Sequence, residues 1–282
     1  MVRRAFGLGV GAAAVVTLLA GCDVGRAFGG FGWPSGITAQ ANQMYDLWIG
    51  SVIAALAVGF FVWGLIFWCI VKYRKKTDEL PPQTRFNLPI EIIYTVVPFL
   101  IVAVLFYYTA VIQTDVNRQS ANPDVTVEVV AFQWNWQFNY KEGPSDDGSA
   151  ATIASELGTS DYIPVLVVPT GRTVRLEQVS RDVIHSFWVP DLLFKRDQFP
   201  DPRLRNSFEI TVNKEGSYVG RCAELCGTYH SMMNFELRAV SPEKYDQFIA
   251  ERQAGKSTPE ALAAIGETPY AETTSPFPTK RI

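Results

Sequence analysis

The apolar positions fall in two ways along the chain, as long runs first and as alternation later. From Leu47 to Val71 no charged residue interrupts an apolar run, and a second run extends from about Ile90 to Ile112, containing Pro98 and carrying Glu91 near its start. As a helix the first run would extend roughly 37 Å, enough to cross a bilayer with some tilt. These runs predict a membrane hairpin of two helices over residues 47–112. Near Asn122 the pattern changes to alternation, in Val125–Val130, Thr173–Glu177 and Ser207–Val212. Short alternating runs separated by Gly171, Asn213, Gly216 and several prolines predict strands, and their spacing predicts a β-sandwich over residues 122–240. Glu142 to Asp161 is polar and reads as a surface loop inserted into that domain. Ser241-Pro242-Glu243 offers an N-cap, a first-turn proline and an early acid, so a helix is expected at the start of segment 241–282. The tail after Glu267, rich in threonine and proline, is expected to be irregular.

Charge orients the hairpin. Lys72, Arg74, Lys75, Lys76 and Arg85 stand against Asp78 and Glu79 in the loop 72–89, which the positive-inside rule assigns to the cytoplasm. Trp48, Trp63 and Trp68 include rings placed for the membrane interfaces. At the N-terminus, Arg3 and Arg4 precede a short apolar stretch from Ala5 to Leu19 that ends in Leu19-Ala20-Gly21-Cys22, the form of an export signal over residues 1–21. A cysteine after those small residues resembles a bacterial lipobox, implying cleavage before Cys22 and lipid on its sulfur, a secondary anchor beside two spans. Residues 22–46 would then be an outer segment. Signal and loop charge agree: both mature termini face out of a bacterial cell membrane. Cys69 is expected to face lipid or a neighbouring helix. Glu91 has two readings, an acid that snorkels to the headgroups or one that faces a partner or proton path.

Composition narrows the chemistry. The chain has four cysteines and two histidines in 282 residues, too sparse for a disulfide scaffold. No Cys-x-x-Cys-His occurs, so no haem c is attached, and no basic patch suggests nucleic acid. The metal-binding side chains are instead concentrated in Cys222-Ala223-Glu224-Leu225-Cys226-Gly227-Thr228-Tyr229-His230-Ser231-Met232-Met233. Cys-x3-Cys-x3-His-x2-Met gathers two thiols, an imidazole and a thioether, a soft donor set suited to copper. His185, the other histidine, opens His185-Ser186-Phe187-Trp188 upstream. A Cys222–Cys226 disulfide would leave the histidine and methionine spacing unexplained. Structural zinc would accept two cysteines and two histidines but gain nothing from Met233. A mononuclear blue-copper site uses one cysteine, whereas two thiolates can bridge two copper ions.

This loop, with His185 upstream, resembles the binuclear copper (CuA) loop of cytochrome c oxidase subunit II, and the likeness extends from about Leu47 to Phe248. The resemblance implies a cupredoxin-like sandwich holding two copper ions on His185, Cys222, Cys226, His230, Met233 and the Glu224 carbonyl. It also implies that the Glu224 side chain reaches a magnesium ion at the boundary with subunit I. Phe132-Gln133-Trp134-Asn135-Trp136 resembles the aromatic patch that meets the donor, with Trp134 taking the electron from cytochrome c or a membrane-bound c-type cytochrome. Leu88–Pro98 resembles the start of the family's second helix, which sets Glu91 at the mouth of the K proton channel, and Lys195-Arg196-Asp197 matches a segment facing subunit I. Three features depart from the pattern: Asn135 stands where an aromatic is usual, the Glu142–Asp161 stretch is enlarged, and Arg181 sits beside Asp182 where two acids are common. The implied role is electron acceptance for an aa3-type oxidase that reduces oxygen in subunit I and pumps protons. Associated partners would be subunit I, other oxidase subunits and membrane lipid.

Acidic residues outnumber basic ones from Asn122 onward, so Asp146, Asp147, Glu156, Asp161 and Asp182 are candidates for a docking rim around Trp134. A quinol oxidase subunit II would lack the ligand set. A nitrous-oxide reductase would lack the hairpin with Glu91, and a membrane-anchored copper-delivery protein would not need the paired tryptophans.

Overall fold

The computed structural model describes residues 29–143 and 150–276. The expected signal over 1–21, Cys22, Asp146 and Asp147 lie outside the described residues. The chain forms two compact units, one containing residues 44–114 and the other residues 34–43 with the chain from Asp115 onward.

Helix α1 (Ala39–Lys72) and helix α2 (Leu88–Val116), which fall mostly in the first unit, are 34 and 29 residues long, each apolar enough to cross a membrane. Both extend past the apolar runs because polar caps start them earlier. Thr38 Oγ1 accepts the Ala41 N–H at 2.9 Å at the head of α1. At α2, Asn87 Oδ1 accepts from Ile90 N while Glu91 Oε1 accepts from Asn87 N at 2.9 Å, a reciprocal cap. Gly30 and Trp33 fold back on α1: Trp48 Nε1 donates to Gly30 O at 3.1 Å and stacks on Trp33 with centroids 4.9 Å apart.

The second unit is the expected sandwich, built from ten strands among the described residues. They are β1 (Val125–Phe132), β2 (Asn135–Lys141), β3 (Thr152–Leu157), β4 (Val165–Pro169), β5 (Val174–Ser180), β6 (His185–Val189), β7 (Phe194–Gln198), β8 (Asn206–Ile210), β9 (Gly216–Cys222) and β10 (Asn234–Val240). One sheet runs β3-β2-β1-β5-β8 and the other β4-β10-β9-β6-β7. Alternation drives the layers together: Val127, Val129 and Ala131 of β1 and Trp136, Phe138 and Tyr140 of β2 are buried, and Trp136 meets Phe235 of β10 at 5.0 Å between centroids. Buried aromatics of this size supply much of a core's apolar area.

One expectation needs correction. The Glu142–Asp161 stretch is not simply a loop: β3 lies within it and pairs antiparallel with β2, Phe138 opposite Glu156. Its pattern hid the strand because the position that an apolar residue would fill is Glu156, buried and accepting from the Thr258 hydroxyl. Residues 268–276 lack regular structure, as expected, but they are tied down. Arg238 donates to Thr268 O and, at 3.0 Å, to Tyr270 O, while Glu236 accepts from Glu272 N and Thr273 N at 2.6 and 2.8 Å. Between sandwich and tail stand α3 (Pro242–Gln253), capped by Ser241 as expected, and α4 (Thr258–Ala264), which opens with a Ser257/Glu260 capping box.

Candidate metal centre

The β9–β10 connection carries the cysteine loop, and β6 brings His185 to it. Antiparallel β9 and β10 pair Arg221 with Asn234, so the chain leaves at Cys222 and returns at Met233, closed by Cys222 N to Met233 O at 3.1 Å. Strand β6 lies beside β9, and Ala223 N donates to Ser186 O at 3.0 Å. His185 at the start of β6 therefore sits against Cys222.

Six donors converge. The Cys222 and Cys226 sulfurs are 3.8 Å apart, well beyond the roughly 2 Å of a disulfide. Around Cys222 Sγ lie His185 Nδ1 at 3.8 Å and the Glu224 carbonyl at 3.2 Å. Around Cys226 Sγ lie His230 Nδ1 at 3.6 Å and Met233 Sδ at 3.9 Å. Each sulfur thus has one imidazole and one weaker donor beside it, and the two halves meet at the sulfur pair. His185, Cys222, Cys226 and Met233 are buried. The donor set fits copper: a thioether buried among thiols serves a soft metal and does nothing for zinc.

Hydrogen bonds pre-orient the donors. His185 Nε2 pairs with Asp182 Oδ1 at 2.8 Å, which fixes the ring with Nδ1 toward the sulfurs. Burial acts to lower the His185 pKa, but Cys222 and Asp182 outweigh it and raise it. Burial likewise opposes ionisation of Cys222, yet hydrogen bonding to His185 and the Glu224 and Ser186 backbone brings its thiol down to about 7. Burial and the neighbouring Cys222 push Cys226 up to about 12. Each thiol opposes ionisation of the other, and a bound cation would displace their protons.

Trp134 lies directly on this loop. Its Nε1 donates to Cys226 O at 3.0 Å, and its ring meets Tyr229 edge-on at 4.8 Å. Trp136, in the core, donates to Met233 O at 3.2 Å. Asn135, the departure from the aromatic pattern, bonds Thr159 O at 2.9 Å and so links the turn to the enlarged segment.

Other candidates stand apart from the cluster. The Glu224 carboxylate is held by Lys195 Nζ at 3.3 Å. Glu91 caps α2, and Cys69 is exposed on α1. Two members of the expected docking rim are otherwise engaged: Glu156 is buried under Thr258, and Asp182 holds His185 and accepts from Gln133 N at 2.6 Å. Sequence reasoning missed Gln133 and the bond from Asp182 to His185. An acid three positions before a candidate ligand was the available signal for the latter; Gln133 offered none.

Known proteins bear on the whole chain. The model of "Cytochrome C oxidase subunit II, periplasmic domain" matches residues 125–240, and that of its transmembrane domain matches residues 28–111. A Nocardia farcinica protein named "Probable cytochrome c oxidase subunit 2" is 47% identical, covering 100% of this chain and 89% of its own length. The cytochrome c oxidase subunit 2 of Mycobacterium tuberculosis is 42% identical over 95% of this chain and 87% of its own. Among solved structures, the periplasmic domain of subunit II of cytochrome oxidase from Bradyrhizobium japonicum is 25% identical, with a TM-score of 0.39, covering 47% of this chain and 96% of that one.

Proposed function

The chain belongs to the cytochrome c oxidase subunit II family, and from that premise we propose that it is the electron-accepting subunit of an aa3-type oxidase. Trp134, bonded to Cys226 O, would receive the electron from a c-type cytochrome, and His185, Cys222, Cys226, His230, Met233 and the Glu224 carbonyl would hold a pair of copper ions. Copper bound there supplies a one-electron store shared by two ions, bound for haem in subunit I. The observation that carries this reading is the pairing of one imidazole and one weaker donor with each sulfur, 3.8 Å apart. Trp134 supports it by its direct bond to Cys226, which leaves no residue between the aromatic and a ligand. Tight burial of the sulfurs argues against a copper-delivery protein, whose cargo must exchange.

The remaining roles follow the family. Two spans with a basic loop between them support a bacterial cell membrane with both termini outside, and Cys22 would carry lipid. Glu224 is proposed to reach magnesium at the subunit I boundary, where Lys195 would have to yield its carboxylate. Glu91 is proposed as the proton-accepting group at the K channel; its cap on Asn87 would exchange with that task.

The test is copper reduction by reduced cytochrome c, followed by rapid mixing, in oxidase carrying Trp134→Phe. Copper content should match the parent while reduction slows at every salt concentration, because the contact itself is altered. Reduction at the parent rate would remove Trp134 from the role.

A further inference from the structure

Gln133 is bonded directly to the Cys226 half of the metal cluster and, through Asp182, to the His185 half. It sits in the tight turn between β1 and β2, where Phe132 pairs with Asn135. Its side-chain Nε2 donates to Cys226 O at 2.8 Å, and its main-chain N–H donates to Asp182 Oδ2 at 2.6 Å. Asp182 Oδ1 in turn holds His185 Nε2 at 2.8 Å. A closed path of hydrogen bonds therefore runs from His185 through Asp182 and Gln133 to Cys226.

The loop is laid against this turn with little clearance. A Cβ on Gly227, whose φ is +121°, would lie 3.1 Å from the Trp134 ring and 3.3 Å from Gln133 Nε2. Cys226 O accepts from both Gln133 and Trp134, so two N–H dipoles point their positive ends at the peptide of a sulfur ligand. Gln133 and Gly227 are exposed and Trp134 is half-buried, so these dipoles act at the margin of the site, on the peptide of a buried ligand.

We propose that Gln133 is a positioning residue that sets the reduction potential and the electronic symmetry of the copper pair. It does so by pinning the Cys226 half of the cluster to the His185 half and by biasing the site toward the electron-rich state. The inference rests on the binuclear copper reading and is distinct from any contact between Gln133 and a donor protein.

The experiment uses the full chain, loaded with copper in detergent, as parent, Gln133→Met and Gln133→Glu. Methionine keeps the length without the donor; glutamate keeps the shape and turns an acceptor toward the carbonyl. Potentiometry and electron paramagnetic resonance are read on each, with copper content and thermal unfolding of the copper-free chain as controls. Both variants should hold the parent's copper content, with midpoint potential shifted downward, further for glutamate, and with more unequal hyperfine coupling to the two nuclei. A parent spectrum from two equivalent nuclei with unchanged potential and coupling in either folded variant overturns the inference alone. A parent spectrum from a single nucleus overturns the copper reading and the inference with it.

Discussion

Met233 places its thioether 3.9 Å from Cys226 Sγ, buried, with its carbonyl held by Trp136. A thioether is a weak axial ligand that tunes copper, whereas thiolates bind it. Met233→Leu should therefore retain copper at the parent stoichiometry but make the two nuclei inequivalent and slow electron transfer; metal analysis showing complete copper loss would contradict that ranking. At this scale the ligands were legible because Cys-x3-Cys-x3-His-x2-Met is local, and only one further histidine remained to complete the set. Their supports were not. Gln133 reaches Cys226, and Asn135 reaches Thr159, through contacts that exist only once β1, β2 and the loop have packed, so no spacing in the chain announces them.

Elements announced themselves where burial follows a period. The spans stood out by length, β1, β5 and β8 by alternation, and α3 by its Ser241 cap. Strand β3 and the anchoring of the tail escaped because each depends on a polar residue at a buried position. Glu156 is one: burial raises its carboxyl pKa, with Thr258 only partly compensating. A raised folded-state value means that the native form holds the proton more tightly. Its contribution to stability is full below the unfolded carboxyl pKa and is lost as pH rises through the folded one. Glu156→Gln should flatten that limb of the denaturant-stability profile between acidic and neutral pH; an unchanged profile would count against a desolvated carboxyl. Arg238 is another, almost wholly buried beside Glu236 and donating to the tail. Arg238→Met should cost about 3–5 kcal/mol by leaving a buried charge uncompensated, and should expose residues 268–273 to limited proteolysis. Parent stability together with parent cleavage would show that the pair does not clasp the tail.

At the scale of the molecule, a basic loop divides two apolar spans from a region in which acids outnumber bases, and hydropathy alone made the two-unit plan legible. Of the acidic rim only Glu156 was misread, since counting carboxylates ignores which of them are buried. Glu156 serves the interior, whereas Asp161 and Asp182 are both exposed, Asp182 while also holding His185. Glu91 lies in the unit that does not hold the sulfurs, so the two tasks should separate in kinetics. Glu91→Ala should slow oxidase turnover and proton uptake while the donor reduces copper at the parent rate, and parent turnover would leave Glu91 as a helix cap only. The central claim, however, is that six donors from β6 and the β9–β10 loop hold two copper ions as one centre. Electron paramagnetic resonance of the copper-loaded full chain tests it most directly. One unpaired electron coupled equally to two copper nuclei is the predicted result; hyperfine structure from a single copper nucleus would contradict it.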